Sequence, residues 1–368
     1  DMTMMMVLTT VLVLFGLVVP CHTFQLPQKQ QGYRSDLLVR NVDKGFNLLE
    51  QNWVPQGPIV ATVKTGWKLI WQRMMAELAP QDKTGSYQRP SYQFDNEISP
   101  DQALHLYLGE ACPWCHRVKL TLKLKGIKSV TISQLIDDPI KASRGGWILS
   151  PSSPDPIFTA SDLRGVYDRL TPGGFEGRCT APLLVDKKGK KIISNESSLI
   201  CRMLNDVPGE NNLDLYPAEL AEKIDETNAW LYSELNNGVY QCGFSTTQRA
   251  YDEASSKVRK GLERVNEILS EQNYLCGSQL TESDVRLLPT ALRYDAAYAP
   301  LFKAGGAHLR VRDFPHLQAW LRRCWALPEV RESIDLGKAT GSYYSNLFPL
   351  NPGGIVPTSV TAKDLGLE

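Results

Sequence analysis

The chain has 368 residues, with 40 Lys and Arg balanced by 40 Asp and Glu, 42% hydrophobic and 22% charged residues, and eight cysteines. Zero net charge gives no electrostatic ground for nucleic acid or an anionic membrane surface as partner, and eight cysteines in this length are too dilute for a disulfide scaffold. The length suits two domains with additional segments, at roughly 100–200 residues per domain.

Val7 to Pro20 is an uncharged apolar run of 14 residues behind a methionine-rich start, with the pattern of a signal-peptide core and short for a spanning helix; an uncleaved anchor is the alternative. Phe24 and a mildly basic stretch through Lys29, Arg34, Arg40 and Lys44 follow. That order resembles the bipartite presequences of algae with secondary plastids, so a plastid is the expected destination and the secretory pathway the alternative. Residues 1–45 are therefore set aside as a leader. Residues 46–100 read as an extension packed across the main body, with one helix through Trp67–Met75 that Ala79-Pro80 ends and aromatics that serve as core contacts.

Leu104–Leu108 is the first confident strand. A turn at Gly109-Glu110 leads to Ala111-Cys112-Pro113-Trp114-Cys115-His116-Arg117, and a helix is expected from about Cys112 to Lys125 with Gly126 as its stop. Cys112 then lies at a helix N-terminus, where orphan N–H groups and the dipole favour a thiolate, and Cys115 is one turn on, within reach of it. The pair reads as redox or thiol-transfer chemistry; a structural disulfide or half a zinc site is the alternative, and no second Cys/His pair stands at ligand spacing, so no metal is expected. His116 reads as a residue that backs the site or lies on the surface rather than a general base, since a preformed thiolate needs none.

Ser129–Leu135 alternates and reads as the second strand. An insertion containing Trp147 follows, and Ser161 is placed to cap a helix over Asp162–Leu170. A strand beginning at Pro182, a turn at Lys187–Lys190, a returning strand from Ile192 and a helix Leu199–Leu204 capped by Asn195–Ser198 complete a β-α-β-α-β-β-α order over residues 104–206. This order, with the cysteines at the first helix start, predicts an α/β thioredoxin-like domain over residues 101–207. The second half predicts an all-α domain over 208–345. It comprises a helix Ala218–Asn236 broken at Asn237-Gly238, a second from Thr246 to Leu269, and a capping box at Thr281–Asp284. A further helix from Pro315 through Trp320 and Trp325 is ended by Pro328. Residues 346–368 read as an irregular tail.

These residues resemble a cysteine-type glutathione transferase, most similar to the xi class (glutathionyl-hydroquinone reductases) and the related iota class, over roughly residues 65 to 357. The markers are Cys112–Arg117, Thr180-Ala181-Pro182-Leu183-Leu184, Ser194–Ser198, Asn236–Tyr240, Thr281–Leu287 and Asn351–Pro357. Xi members usually carry Ala where Cys115 stands, so the second thiol resembles the iota version. The resemblance implies glutathione as co-substrate, with Cys112 attacking the sulfur of a glutathione adduct and a second glutathione resolving the resulting disulfide. It implies that Pro182 is cis and presents the Ala181 backbone to glutathione, that Glu196 and Ser197 hold the γ-glutamyl end, that Trp147 and Arg164 make further contacts, and that Tyr240 and Tyr343 hold an aromatic substrate. Read without it, Glu196-Ser197 is a helix cap, Trp147 and Tyr240 are packing residues and Arg164 is a surface charge. It also implies a homodimer. The expected activity is glutathione-dependent thiol transfer or reductive deglutathionylation of small aromatic or disulfide substrates by a mature protein that does not span a membrane. The alternatives are a non-catalytic binder of aromatic ligands or pigments, and a glutathione-independent Cys112/Cys115 dithiol redox protein.

Overall fold

The structure is a computed structural model, and residues 56–138 and 146–368 are described; the leader lies outside them. The chain divides into two compact units, Asp1–Thr65 and Gly66–Glu368. Helix α1 (Gln56–Leu78) is longer than the predicted Trp67–Met75. Its C-terminal half packs as the aromatics predicted: Met75 is buried in the helical core and the Trp71 indole donates to the Pro349 carbonyl at 2.9 Å. The α1 C-terminus carries no basic residue of its own, and Arg178 donates to the carbonyls of Glu77 and Leu78, where a cation suits the dipole.

Five strands form one sheet: β1 (Leu104–Gly109), β2 (Thr131–Asp137), β3 (Trp147–Leu149), β4 (Leu183–Asp186) and β5 (Lys191–Ser194), in the order β3-β2-β1-β4-β5. Only β1 and β2 run parallel, joined through α2 (Pro113–Lys125); β1–β4, β4–β5 and β2–β3 are antiparallel. Strand β1 is buried from His105 onward and β4 throughout, as expected where helices cover both faces. Gly126 ends α2 at φ 66°, the left-handed conformation that a glycine adopts without steric cost.

Several boundaries move. The second strand starts at Thr131, and the insertion contributes a strand, β3, that the sequence reading did not assign. Asp162, not Ser161, caps α3 (Leu163–Leu170), accepting from Gly165 N at 2.6 Å, because its carboxylate meets that N–H. Helix α4 (Ser197–Asn205) begins two residues earlier than expected, with Glu196 as N-cap and no side-chain capping bond.

The helix predicted over Ala218–Asn236 runs on to Phe244 with changes of pitch: a 3₁₀ turn, α5 (Ala221–Leu231), a π turn (Tyr232–Asn236) and α6 (Gly238–Phe244). Asn237-Gly238 does not break it, because Asn237 keeps right-handed dihedrals and bonds back to the Tyr232 carbonyl. Helix α7 (Gln248–Glu271) buries Ala250, Ala254, Val258, Leu262, Val265 and Leu269, one apolar stripe at helical spacing. Helix α8 (Glu282–Arg293) carries the predicted capping box, Thr281 with Asp284, and passes into a second π turn (Tyr294–Tyr298). Then come α9 (Pro315–Trp325), α10 (Pro328–Arg331) and α11 (Leu336–Asn346). Pro328 opens α10 rather than ending α9, as suits its fixed φ at a first helical position. The tail is irregular, but Leu365 and Leu367 are buried in the helical core.

Candidate active site

Cys112 is the N-cap of α2, and its sulfur accepts the Cys115 backbone N–H at 3.5 Å. The Ala181–Pro182 bond is cis, and the Ala181 carbonyl lies 3.7 Å from the Cys112 sulfur as a thiol acceptor. Burial by itself raises the Cys112 pKa; hydrogen bonds from the Cys115 side chain and from the N–H groups of Cys115 and Trp114, with the Arg89 charge, outweigh it and bring the thiol down to about 7. Cys115 moves the other way: burial raises it, and so does its hydrogen bond to Cys112. The pair is thus a reactive sulfur and a thiol that donates to it. Cys112, Cys115, Cys201, Cys242, Cys276 and Cys324 are free thiols.

The Cys112 sulfur faces a cavity of about 260 Å³ between the sheet domain and the helices. Trp114, Trp147, Ala181, Tyr240 and Tyr343 line it with Cys112, as do Arg89 and Arg178. Trp147 comes from β3, and its indole rests on the end of β1: a Cβ on Gly109 would stand 2.6 Å from the ring, so only glycine fits there. Tyr240 and Tyr343 are joined hydroxyl to hydroxyl at 2.7 Å, and Tyr298, which the sequence reading did not single out, bonds Tyr343 at 2.6 Å. Burial raises the pKa of all three phenols, so they remain protonated donors at neutral pH. The two π turns set this cluster: Tyr298 is the last residue of one, and Tyr240 lies four residues beyond the other.

Trp114 is held between two guanidinium groups, Arg89 at 3.8 Å and Arg117 at 4.4 Å from the ring. Arg89 comes from the extension, also pairs with Glu196 at 3.5 Å, and borders a second cavity of about 430 Å³ that Glu196 and Arg117 line. Ser197 is fully buried with its hydroxyl unpartnered. Arg164 lines neither cavity. Its guanidinium pairs with Asp168 at 3.0 Å and donates to the carbonyls of Gly177 and Phe175, bracing the segment that leads to the cis bond. The structure therefore gathers Cys112, Trp147, Ala181, Tyr240 and Tyr343 on one cavity with Cys115 and Pro182 next to its lining, sets Glu196 on the second cavity, and leaves Ser197 and Arg164 on neither. His116 is a buried contact, as the sequence implied.

Family profiles match in both halves. Residues 111–207 match "Glutathione S-transferase, N-terminal domain" and residues 248–323 match "Glutathione S-transferase, C-terminal domain". The chain is 37% identical over 294 residues to the glutathionyl-hydroquinone reductase YqjG of Escherichia coli K12, spanning 74% of this chain and 88% of that protein. The chain belongs to the glutathione S-transferase family. Glutathionyl-hydroquinone reductase PcpF of Sphingobium chlorophenolicum is 40% identical over 259 residues, 69% of this chain and 81% of that protein. Among solved structures, the xi-class transferase of Phanerochaete chrysosporium superposes with a TM-score of 0.69 at 35% identity, covering 76% of this chain and 94% of that one. Glutathione-bound YqjG superposes at 0.66 with 36% identity, covering 74% and 89%. This glutathione S-transferase is a glutathione-dependent enzyme with the thioredoxin-like and all-helical halves of its family. Among its described residues no group of His, Cys, Asp and Glu could hold a metal ion, and no helix is long and apolar enough to cross a membrane.

Arg89 had no signal in the sequence, since residues 79–100 carry no periodicity. In the transferase it is the cation nearest both Trp114 and Glu196. Arg89→Ala is expected to raise the KM for glutathione about tenfold with a smaller change in kcat, the loss of one charge-assisted contact, measured by steady-state kinetics.

Proposed function

We propose that this transferase removes glutathione reductively from small aromatic adducts of the glutathionyl-hydroquinone type, and from mixed disulfides, through a Cys112–glutathione disulfide. The carrying observation is a thiol lowered to about 7 that shares one cavity with two hydrogen-bonded phenols, Tyr240 and Tyr343, which a third, Tyr298, buttresses from the core. Similarity to the two reductases YqjG and PcpF supports the substrate class.

The Cys112 thiolate attacks the glutathionyl sulfur of the adduct. The carbon–sulfur bond breaks, its electron pair stays with the ring carbon, and that carbon takes a proton to give the free hydroquinone. A second glutathione thiolate then attacks the Cys112–glutathione disulfide, releasing oxidised glutathione and restoring the Cys112 thiolate, so two glutathionyl groups are oxidised as one aromatic carbon is reduced. Tyr240 and Tyr343 hold the substrate hydroxyl, and Tyr298 supports them through its bond to Tyr343. Trp147, Ala181 and Pro182 hold the central part of glutathione, and Glu196 and Ser197 hold its γ-glutamyl end; the buried, unpartnered Ser197 hydroxyl supports that assignment.

The test is turnover of a synthetic S-glutathionyl-hydroquinone at fixed glutathione, followed across pH. The expected kcat/KM rises with pH to a midpoint near 7 and then levels, because the reactive form is the deprotonated one and the lowered pKa fills it by neutral pH. No release of hydroquinone at any pH would remove the reading. A homodimer and a plastid address belong to the same proposal, the second supported by the Val7–Pro20 core with Phe24 behind it. Light scattering and a leader–fluorescent-protein fusion test them.

A further inference from the structure

Arg293 closes α8 and is 2% exposed. Among the described residues its guanidinium meets no carboxylate. Nη2 donates to the Ala111 carbonyl at 3.2 Å, Nη1 to the Pro289 carbonyl at 3.1 Å and to His116 Nδ1 at 3.0 Å, and Nε has no partner. The direction of the network is settled by chemistry. A guanidinium only donates, so Nδ1 of His116 accepts and the imidazole proton lies on Nε2. Nε2 then donates to the Ser333 hydroxyl at 2.6 Å, which donates to the Val330 carbonyl at 2.6 Å. Burial pushes His116 well below its usual pKa, and the charges of Arg293 and Lys119 push it further, in keeping with a neutral ring.

A cation buried without a counter-ion is costly, and this one sits where it touches the residue before Cys112. We infer that Arg293 is a positioning residue for Cys112: reaching from the helical domain, it holds the Ala111 carbonyl, sets the turn that delivers the thiol to the cavity, and supplies buried positive charge beside it. The inference rests on Cys112 being the nucleophile. The charged and titratable groups around it are accounted for. Cys115, His116 and Lys119 lie on α2, Tyr298 on the π turn and Tyr343 on α11; Arg89 acts on Cys112 from the extension, Asp137, Arg178 and Tyr240 line the same cavity, Asp137 accepting from Ser342 and Arg178 donating to the end of α1, and Glu110 is paired with Lys338 at 2.7 Å.

The test is the pH dependence of Cys112 alkylation by iodoacetamide, read on the Cys112 peptide by mass spectrometry in the full chain without glutathione, beside steady-state kinetics with it. Arg293→Met is expected to raise the alkylation midpoint by about one unit, which slows the reaction about tenfold below that midpoint. Arg293→Lys keeps the charge and loses the fork, so the midpoint stays while kcat falls about tenfold at unchanged KM. His116→Asn keeps an acceptor for Arg293 and is expected to leave the midpoint in place. An unmoved midpoint in folded Arg293→Met overturns the inference, as does wild-type kcat in Arg293→Lys, which decides alone if the Met variant does not fold. A raised midpoint in His116→Asn overturns it too, by assigning the effect to the imidazole. Alkylation reads the thiol itself, so a failure here is distinct from a failure to turn over glutathionyl-hydroquinone.

Discussion

Cys112→Ser is expected to lower both thiol transfer and deglutathionylation by on the order of 10³-fold or more, because a hydroxyl in the same place stays protonated where the thiol is lowered to about 7. Cys115→Ala separates the mechanisms. Cys115 donates the hydrogen bond that most lowers Cys112, so in a monothiol cycle its loss raises the midpoint of the pH profile and leaves the plateau above pH 8 near wild type. A dithiol cycle needs Cys115 as the resolving sulfur, and there the plateau itself would collapse. Activity surviving in Cys112→Ser would remove Cys112 as the nucleophile. The assay is reduction of a glutathione mixed disulfide by the three proteins at one glutathione concentration.

The largest effect on stability is expected at Asp284. Its carboxylate is fully buried and accepts from Thr281 N at 2.9 Å, Thr281 Oγ1 at 3.0 Å, Leu275 N at 3.1 Å and the Trp320 indole at 2.9 Å. Asp284→Ala strands these donors in the helical core, and unsatisfied buried groups cost about 1–3 kcal/mol each when relaxation does not rescue them. A loss of about 3–5 kcal/mol in equilibrium denaturation is expected, with Asp284→Asn intermediate because one oxygen remains. A loss under about 1 kcal/mol would mean that water or repacking replaces the carboxylate.

The parts of the site that local chemistry dictates were readable in the sequence. Pro113 and Gly126 bracket α2 and put Cys112 at its start, the Thr281–Asp284 box announces α8, and Ala181-Pro182 marks the backbone opposite the thiol. The parts set by long-range partners were not. Strand β3 has three residues, too few for alternation, and exists because β2 offers it an edge. Tyr298 stands four residues after Tyr294, a spacing that any buried helix face would show. Arg293 stands in a last helical turn, where a dipole contact alone would account for a basic residue and nothing local announces a partner in the other domain. Arg164 lines neither cavity, and its spacing could not have told: position along a chain says which turn a side chain is on and not which cavity it reaches.

The π turns carry a consequence for how this site tolerates change in length. Each holds one residue more than an α-turn, and a helix rotates about 100° per residue. Tightening Tyr294–Tyr298 to α pitch at unchanged length would gain ordinary hydrogen bonds while swinging every later residue about a quarter-turn away from Cys112. A one-residue deletion in the same turn would be absorbed, because the wide turn covers with one extra residue about the rotation of an ordinary one. The extra residue in each wide turn is what keeps the later residues facing the thiol.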